Sequence, residues 1–79
     1  MADYKLILSH IAKALVDKPD EVVVLLVDED DSNVTLELSV APDDMGKVIG
    51  KHGKIAKAIR TVMTAVANTD GKRVTVDIR

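Results

Sequence analysis

Two glycines three residues apart, Gly50 and Gly53, interrupt the longest helix-periodic stretch of this 79-residue chain. Glycine adopts backbone conformations that are closed to other residues, and it lets another molecule approach the backbone closely. A helix capped by Asp43 or Asp44 is therefore expected to end at Ile49. A second helix is expected to follow the glycine-bounded loop, and the chain around this pair must bury both helices.

The remaining periodicities predict one more helix and three strands. The predicted elements are a helix over 4–16, strands over 22–27 and 34–40, helices over 43–49 and 54–67, and a strand over 74–78. The polar cluster from Asp28 to Asn33 predicts an antiparallel hairpin, and the two-helix crossover favours a parallel third strand. We expect an α+β fold in the order α-β-β-α-α-β, with a three-stranded mixed sheet covered on one face by three helices. Residues 1–79 are predicted to form one domain.

Composition narrows the chemistry that is available. The chain has no cysteine, which excludes disulfides and thiolate metal sites. Tyr4 is the only aromatic residue, so a nucleic-acid site here cannot depend on aromatic stacking. The amino terminus lacks a basic region followed by an apolar run, and no apolar stretch approaches the roughly 18 residues of a membrane helix. We expect a cytoplasmic protein.

Charge is distributed unevenly along the chain. Residues 1–45 contain three lysines against eleven acidic residues, a net charge of −8, whereas residues 46–79 carry a net charge of +6. The two halves give the overall charge of −2, and the stretch from Met45 to Thr69 has no acidic residue at all. The acidic total therefore conceals a basic surface.

The predicted helix after Gly53 has two faces. At about 100° per residue, Lys54, Lys57 and Arg60 fall in one arc. A second arc holds the apolar residues Ile55, Ile59, Val62, Met63 and Val66. A basic stripe alone is usually only a solvated face. Here it adjoins a glycine at a helix start, where backbone N–H groups favour phosphate, so the combination favours a nucleic-acid backbone.

The segment from Ile49 to Ile59 resembles the signature of KH domains, an I-G-x-x-G core followed by a helix with isoleucine. In KH domains, this loop clamps the backbone of four nucleotides of RNA. The element order resembles the type II, bacterial form of the fold. The short acidic chain, with its segments 46–50 and 58–61, is similar to the small KhpA-type bacterial KH proteins.

The resemblance implies a role for each matching residue. Gly50 and Gly53 would set the loop, Lys51 and His52 would face the sugar-phosphate backbone, and aliphatic residues would line an apolar floor for bases. The candidate RNA-binding residues are Lys47, Ile49, Gly50, Lys51, His52, Gly53, Lys54, Ile55, Lys57 and Arg60. Of these, Ile49 and Ile55 would form the floor.

The resemblance also implies a biological setting. It indicates a single-stranded RNA-binding protein, acting as an RNA chaperone or post-transcriptional regulator in the control of cell shape and cell-wall biogenesis. It further implies a homodimer or a complex with a second, larger KH-containing protein.

Other functions have weaker support in the sequence. The segment 46–51 has three residues between its glycines and His52 after the lysine, so it lacks the spacing of a P-loop. His10 and His52 have no carboxylates at ligand spacing, and no nucleophile–base pair indicates an enzyme. We expect no cofactor and no metal. The alternative is a KH fold that has lost RNA binding and serves as a dimerisation module, although the glycines and the acid-free stretch favour RNA.

Overall fold

The computed structural model describes residues 3–79, apart from the side chain of Lys51, and confirms the predicted α+β fold. The elements are helix α1 (Tyr4–Leu15), a short 3-10 turn (Pro19–Glu21), strand β1 (Val23–Glu29), strand β2 (Asn33–Ser39), helix α2 (Pro42–Thr69) and strand β3 (Arg73–Ile78). The sheet order is β1-β2-β3. As predicted, β1 and β2 pair antiparallel, and β2 and β3 pair parallel.

Helix α1 begins where the sequence predicts. The carboxylate of Asp3 accepts a hydrogen bond from the backbone N–H of Leu6 at 3.1 Å, which satisfies one of the free donors of the first turn. Tyr4, Leu8 and Ala12 recur every four residues and are all buried against the rest of the fold. The 3-10 turn that follows was not predicted, and Pro19 occupies its first position.

The central strand β2 supplies the middle of the core. Val34, Leu36 and Leu38 are each at most 1% exposed, and they alternate with half-buried polar residues on the other side. The helices therefore cover one face of the sheet. Strand β1 forms one edge of the sheet and contributes only Val24 to the core, with its register shifted by a bulge between Leu26 and Asp28.

The start of α2 corrects a prediction. Neither Asp43 nor Asp44 caps the helix: the cap is Ala41, without a side-chain hydrogen bond, because Pro42 has no N–H to satisfy and starts the helix earlier. Asp44 turns inward instead and is 1% exposed. Its two carboxylate oxygens accept the backbone N–H groups of Asp17 and Lys18, each at 3.0 Å, and so attach the end of α1 to α2.

Helix α2 changes direction near its middle. A straight helix of its 28 residues would be about 42 Å long, yet the longest dimension of the fold is 35 Å. His52 and Gly53 have φ values of 65° and 67°, which place both residues in the left-handed region. They form a reversal of backbone handedness that separates two right-handed helical segments of α2. The predicted four-residue interruption is therefore confined to two residues. Gly50 keeps ordinary helical geometry because glycine, although a poor helix former, is compatible with a helix.

The far end of α2 is attached to the amino-terminal helix. The Oη of Tyr4 donates a short hydrogen bond to Oδ2 of Asp70, and Gly71 then turns the chain into β3 with a φ of 70°. The hydrogen bond raises the pKa of Tyr4 to about 12, with smaller contributions from burial and from the charge of Asp70. Within residues 3–79, no helix is both long and apolar enough to cross a membrane.

Candidate nucleic-acid interface

An open groove runs between α2 and the outer edge of β3, beginning at the reversal in α2. We call it the loop groove, and its lining residues are Ile49, His52, Gly53, Ala56, Lys57, Arg60, Thr61, Thr64 and Ile78. Five of the ten candidate residues predicted from the sequence are among them: Ile49, His52, Gly53, Lys57 and Arg60. The structure thus brings the glycine-bounded loop and part of the basic stripe to one surface.

The helical wall of the loop groove follows a single stripe of α2. Gly53, Lys57, Arg60, Thr61 and Thr64 recur at intervals of three or four residues, so they lie on one side of the helix. The opposite side of the same segment packs on the sheet. The helix therefore has its apolar side in the core and its cationic and hydroxyl side in the groove.

The floor of the groove is aliphatic, but its composition differs from the prediction. Ile49 lines the groove and is 53% exposed. Ile55 is partly buried against the core instead, because it shares a helix face with Ile59. Ala56 and Ile78 complete the floor in its place.

The cationic side chains in and beside the groove form no ion pair with an acidic residue in the part of the chain that the structure describes. None of the four ion pairs among the described residues involves Lys54 or Lys57, and both side chains are exposed. Lys54 lies beside the groove rather than in its lining. Lys47 forms an ion pair with Asp17 at 3.2 Å and is not among the residues that line the groove. The side chain of Lys51, also predicted to contact RNA, lies outside the described part of the chain.

The other wall is the free edge of β3, which presents backbone groups. The N–H of Arg79 donates to the carbonyl of Leu38 on β2. Because backbone groups alternate in direction along a strand, Ile78 and Val76 point theirs away from β2, toward the groove. The Nε of Arg60 takes up one of these groups, donating to the Val76 carbonyl at 3.2 Å.

The loop at the mouth of the groove has strained backbone geometry. His52 is an exposed non-glycine residue in the left-handed region, a conformation that costs roughly 1 kcal/mol and is concentrated at functional sites. Gly53 adopts the same conformation without a Cβ penalty. A Cβ placed on Gly50 would meet nothing within 4 Å, so this glycine leaves open space beside the loop for an incoming ligand.

Sequence reasoning missed four lining residues: Ala56, Thr61, Thr64 and Ile78. Three of them could have been found from helical spacing, since Ala56 and Thr64 lie three and eleven residues after Gly53, and Thr61 lies four residues after Lys57. Ile78 could not, because only the parallel pairing of β3 places it beside α2.

The fold, the reversed loop and the groove between α2 and β3 define a type II KH domain. Residues 5–78 match the family model described as KhpA/KhpB, KH domain, and the chain belongs to this family.

Several relatives are similar over almost the whole chain. RNA-binding protein KhpA of Clostridium acetobutylicum is 61% identical over 94% of this chain and 97% of its own length. The protein of the same name in Halalkalibacterium halodurans is 54% identical over 94% of this chain and 96% of its own length. The protein of the same name in Listeria monocytogenes is 50% identical over 94% of this chain and 95% of its own length. A search of the solved structures found no match.

Proposed function

We propose that this chain binds single-stranded RNA in the loop groove. The observation that carries the proposal is an aliphatic floor beside a helical wall that has no acidic residue from Met45 to Thr69. The cations of α2 would hold phosphates, and the floor at Ile49, Ala56 and Ile78 would receive unpaired bases. The names of the relatives, which are RNA-binding proteins, support this proposal.

The groove favours single strands over duplexes and weak binding over tight binding. An aliphatic floor can receive only bases that are not already paired and stacked, and the deep major groove of duplex RNA offers the loop no readable edge. The floor lacks an aromatic side chain, so each base contributes less than the ~1–3 kcal/mol of an aromatic contact. One copy therefore binds weakly, and several copies together bind more tightly.

Salt dependence gives the proposal a quantitative form. If Lys54, Lys57 and Arg60 each contact a phosphate, the slope of log K against log salt should be near −2, at roughly −0.7 per contact. The experiment is a titration of an unstructured RNA, its scrambled version and its perfect duplex at several salt concentrations. Tighter binding to the duplex, or a flat salt response, would refute the proposal.

A double substitution tests the loop itself. Replacing Lys51 and His52 with Asp should abolish RNA binding, because two acids repel the phosphate that the loop attracts. The fold should persist, since His52 is exposed and Asp tolerates the left-handed conformation. The matched control replaces Lys5 and Lys13, both exposed on α1, with Asp. Equal RNA affinity in the two folded variants would exclude a role for the loop.

The finer biological setting is part of the same proposal. A small domain that binds RNA weakly and with little base preference in its floor suits an RNA chaperone or a post-transcriptional regulator in the cytoplasm. Control of cell shape and cell-wall biogenesis, and a homodimer or a complex with a larger KH-containing protein, remain expectations from the family resemblance. The family description, which covers two kinds of protein, supports such a partner.

One observation favours the alternative of a protein-interaction module. Four apolar side chains of β1 are 45% to 54% exposed at the edge of the sheet: Val23, Leu25, Leu26 and Val27. Strand edges with apolar side chains readily pair with other chains. Sedimentation of the free protein, together with the RNA titration, separates the two functions. A stable dimer that binds no RNA at low salt would establish the alternative.

A further inference from the structure

The edge of the sheet opposite the loop groove is unprotected. Strands β1 and β3 form the two edges, and on β3 the side chain of Arg60 takes up the carbonyl of Val76. Within residues 3–79, by contrast, the ladder to β2 is the only hydrogen bonding that reaches residues 23–27 of β1. Alternate backbone N–H and C=O groups of this stretch therefore point outward without a partner.

Strand β1 lacks most of the features that protect an edge from pairing. Natural edge strands are protected by lysine or proline, by short length or by a bulge. Strand β1 has seven residues and contains neither lysine nor proline. Its bulge comes only after Leu26, so residues 23–26 keep a regular register with β2. This half of the strand has the geometry that another strand requires.

Apolar side chains are exposed on both faces of this edge. Val23 and Leu25 lie on the outer face of the sheet, and both are 52% exposed. Leu26 pairs with the buried Leu36, which places it on the helix side, and it is still 45% exposed. A cleft between β1 and α1 adjoins this side, and Leu6 in its lining is exposed as well. A docked strand would meet apolar side chains on both of its faces.

Acidic residues flank the apolar run at both ends. Asp20 and Glu21 precede it, and Asp28, Asp30 and Asp31 follow it. All five are exposed, and none belongs to an ion pair in the part of the chain that the structure describes.

The cations nearby do not offset these acids. Lys18 and Lys72 are already paired with other acidic residues, at 2.9 and 3.0 Å. Lys5 lines the cleft on the α1 side, and Arg73 lies beside the hairpin turn, where its backbone N–H donates to the carbonyl of Ser32. Both are exposed and form no ion pair with a described residue. Five acids against two cations leave the edge with a negative charge.

A second copy of β1 would match the apolar run but not its ends. An antiparallel pairing centred on Val24 or Leu25 would place Asp20 and Glu21 of one copy against the acids that follow Val27 in the other. A symmetric dimer would contain this contact twice. Like charges opposite each other destabilise a strand pair. The complementary strand therefore has lysine or arginine at its ends.

We propose that the edge of β1 is a docking site for an extended segment of another protein, with an apolar centre and lysine or arginine at both ends. The segment would add a fourth strand to the sheet. Main-chain hydrogen bonds would provide affinity, and the apolar faces and flanking acids would provide selectivity. Because β1 and the loop groove lie at opposite edges of the sheet, the site does not depend on the proposed RNA binding.

The test uses three labelled synthetic peptides of nine residues in the absence of RNA. The first has two lysines at each end and a centre of alternating valine and threonine, so it can pair in either strand direction. The second has glutamates in place of the lysines, and the third keeps the lysines but has proline at its central position. By fluorescence anisotropy at low salt, the first should bind roughly tenfold more tightly than either of the others. Its binding should also slow hydrogen exchange of the outward amides of β1.

Variants of the protein assign the binding to this edge. Leu25→Lys adds a charge to the exposed outer face and should abolish binding of the first peptide while the fold persists. Val62→Lys is the matched control, because it adds the same charge to an apolar residue that is 44% exposed on α2, and it should bind the peptide normally. Replacing Glu21 with Gln and Asp28 with Asn together should weaken binding roughly fivefold.

The outcomes decide what occupies the edge. Equal binding of the proline peptide, or undiminished binding by Leu25→Lys, would show that charge alone attracts the peptide and would overturn the site. A stable dimer of the free protein that Leu25→Lys dissociates would also overturn it, since a second copy would then cover β1. Failure of the first peptide to bind at low salt would refute the proposal and leave the RNA binding of the loop groove untouched.

Discussion

The Nε of Arg60 donates a hydrogen bond to the carbonyl oxygen of Val76 at 3.2 Å, which joins the two walls of the loop groove. This contact fixes one side of the guanidinium group on β3. The guanidinium group has four further N–H donors, and Arg60 is an exposed residue that lines the groove. Arg60 thus makes two contributions: a hydrogen bond that holds its guanidinium group on β3, and a positive charge in the groove.

Substitution of Arg60 should separate these two contributions. Arg60→Lys keeps the charge and loses the fixed planar group, so we expect RNA affinity to fall about five- to tenfold with the salt slope unchanged. Arg60→Ala should lower affinity further and make the slope shallower by roughly 0.7. Titrations at several salt concentrations provide both values. Lysine that restored full affinity would show that charge alone matters at this position.

The neighbouring cation Lys57 should behave as a simple phosphate ligand. Its ammonium group has no ion-pair partner among the described residues, so Lys57→Gln should weaken binding to all RNA sequences alike and reduce the slope by roughly 0.7. Lys13→Gln on α1 removes the same charge far from the groove and serves as the control. A sequence-dependent loss at Lys57 would indicate a base contact instead.

The two loop glycines should differ in their effect on stability. Gly50→Ala should stabilise the fold by about 0.5–1 kcal/mol, because Gly50 is helical and a methyl group there meets no neighbour. Gly53→Ala should destabilise it by about 1–2 kcal/mol, since its φ is 67°. Urea unfolding measures both changes. RNA titration of the stable Gly50→Ala variant then isolates the contribution of close backbone approach at this position.

The buried carboxylate of Asp44 should be a large single contributor to stability. Asp44→Ala leaves the N–H groups of Asp17 and Lys18 without their acceptors, so we expect a loss of about 1–3 kcal/mol. Asp43→Ala is the matched control, because its ion pair with Lys18 is exposed and should be worth less than about 1 kcal/mol. Equal midpoints of urea unfolding for the two variants would contradict a stabilising role for the hydrogen bonds that Asp44 accepts from Asp17 and Lys18.

Tyr4 should make the stability of the fold fall at high pH. Its pKa is raised to about 12 by the hydrogen bond to Asp70, so the folded state holds the phenolic proton more tightly than the unfolded chain, which titrates near 10. The stabilisation is therefore complete below pH 10 and is lost as the pH rises through about 12. Because Tyr4 is the only tyrosine, phenolate absorbance reports its titration directly. Tyr4→Phe should lower the unfolding midpoint at neutral pH and abolish this alkaline dependence.

Periodicity and glycine placement predicted the fold more accurately than they predicted the details of the site. The strands and helices were found because one side of each element is apolar, as with Leu36 and Leu38 on β2. The inward turn of Asp44 was missed because its partners lie 26 and 27 residues away along the chain. Ile55 was assigned to the groove because its motif position was known, whereas its packing depends on how α2 rotates against the sheet.

The reversal at His52 and Gly53 has a kinetic consequence. The reversal is only two residues long and has a helical segment on each side, so little backbone remains to be ordered when a ligand binds. Association should therefore proceed without a slow conformational step. The aliphatic floor lies in an open groove and has no aromatic side chain, so it gives little resistance to dissociation. A groove of this kind should exchange rapidly between RNA strands, with short residence times on each.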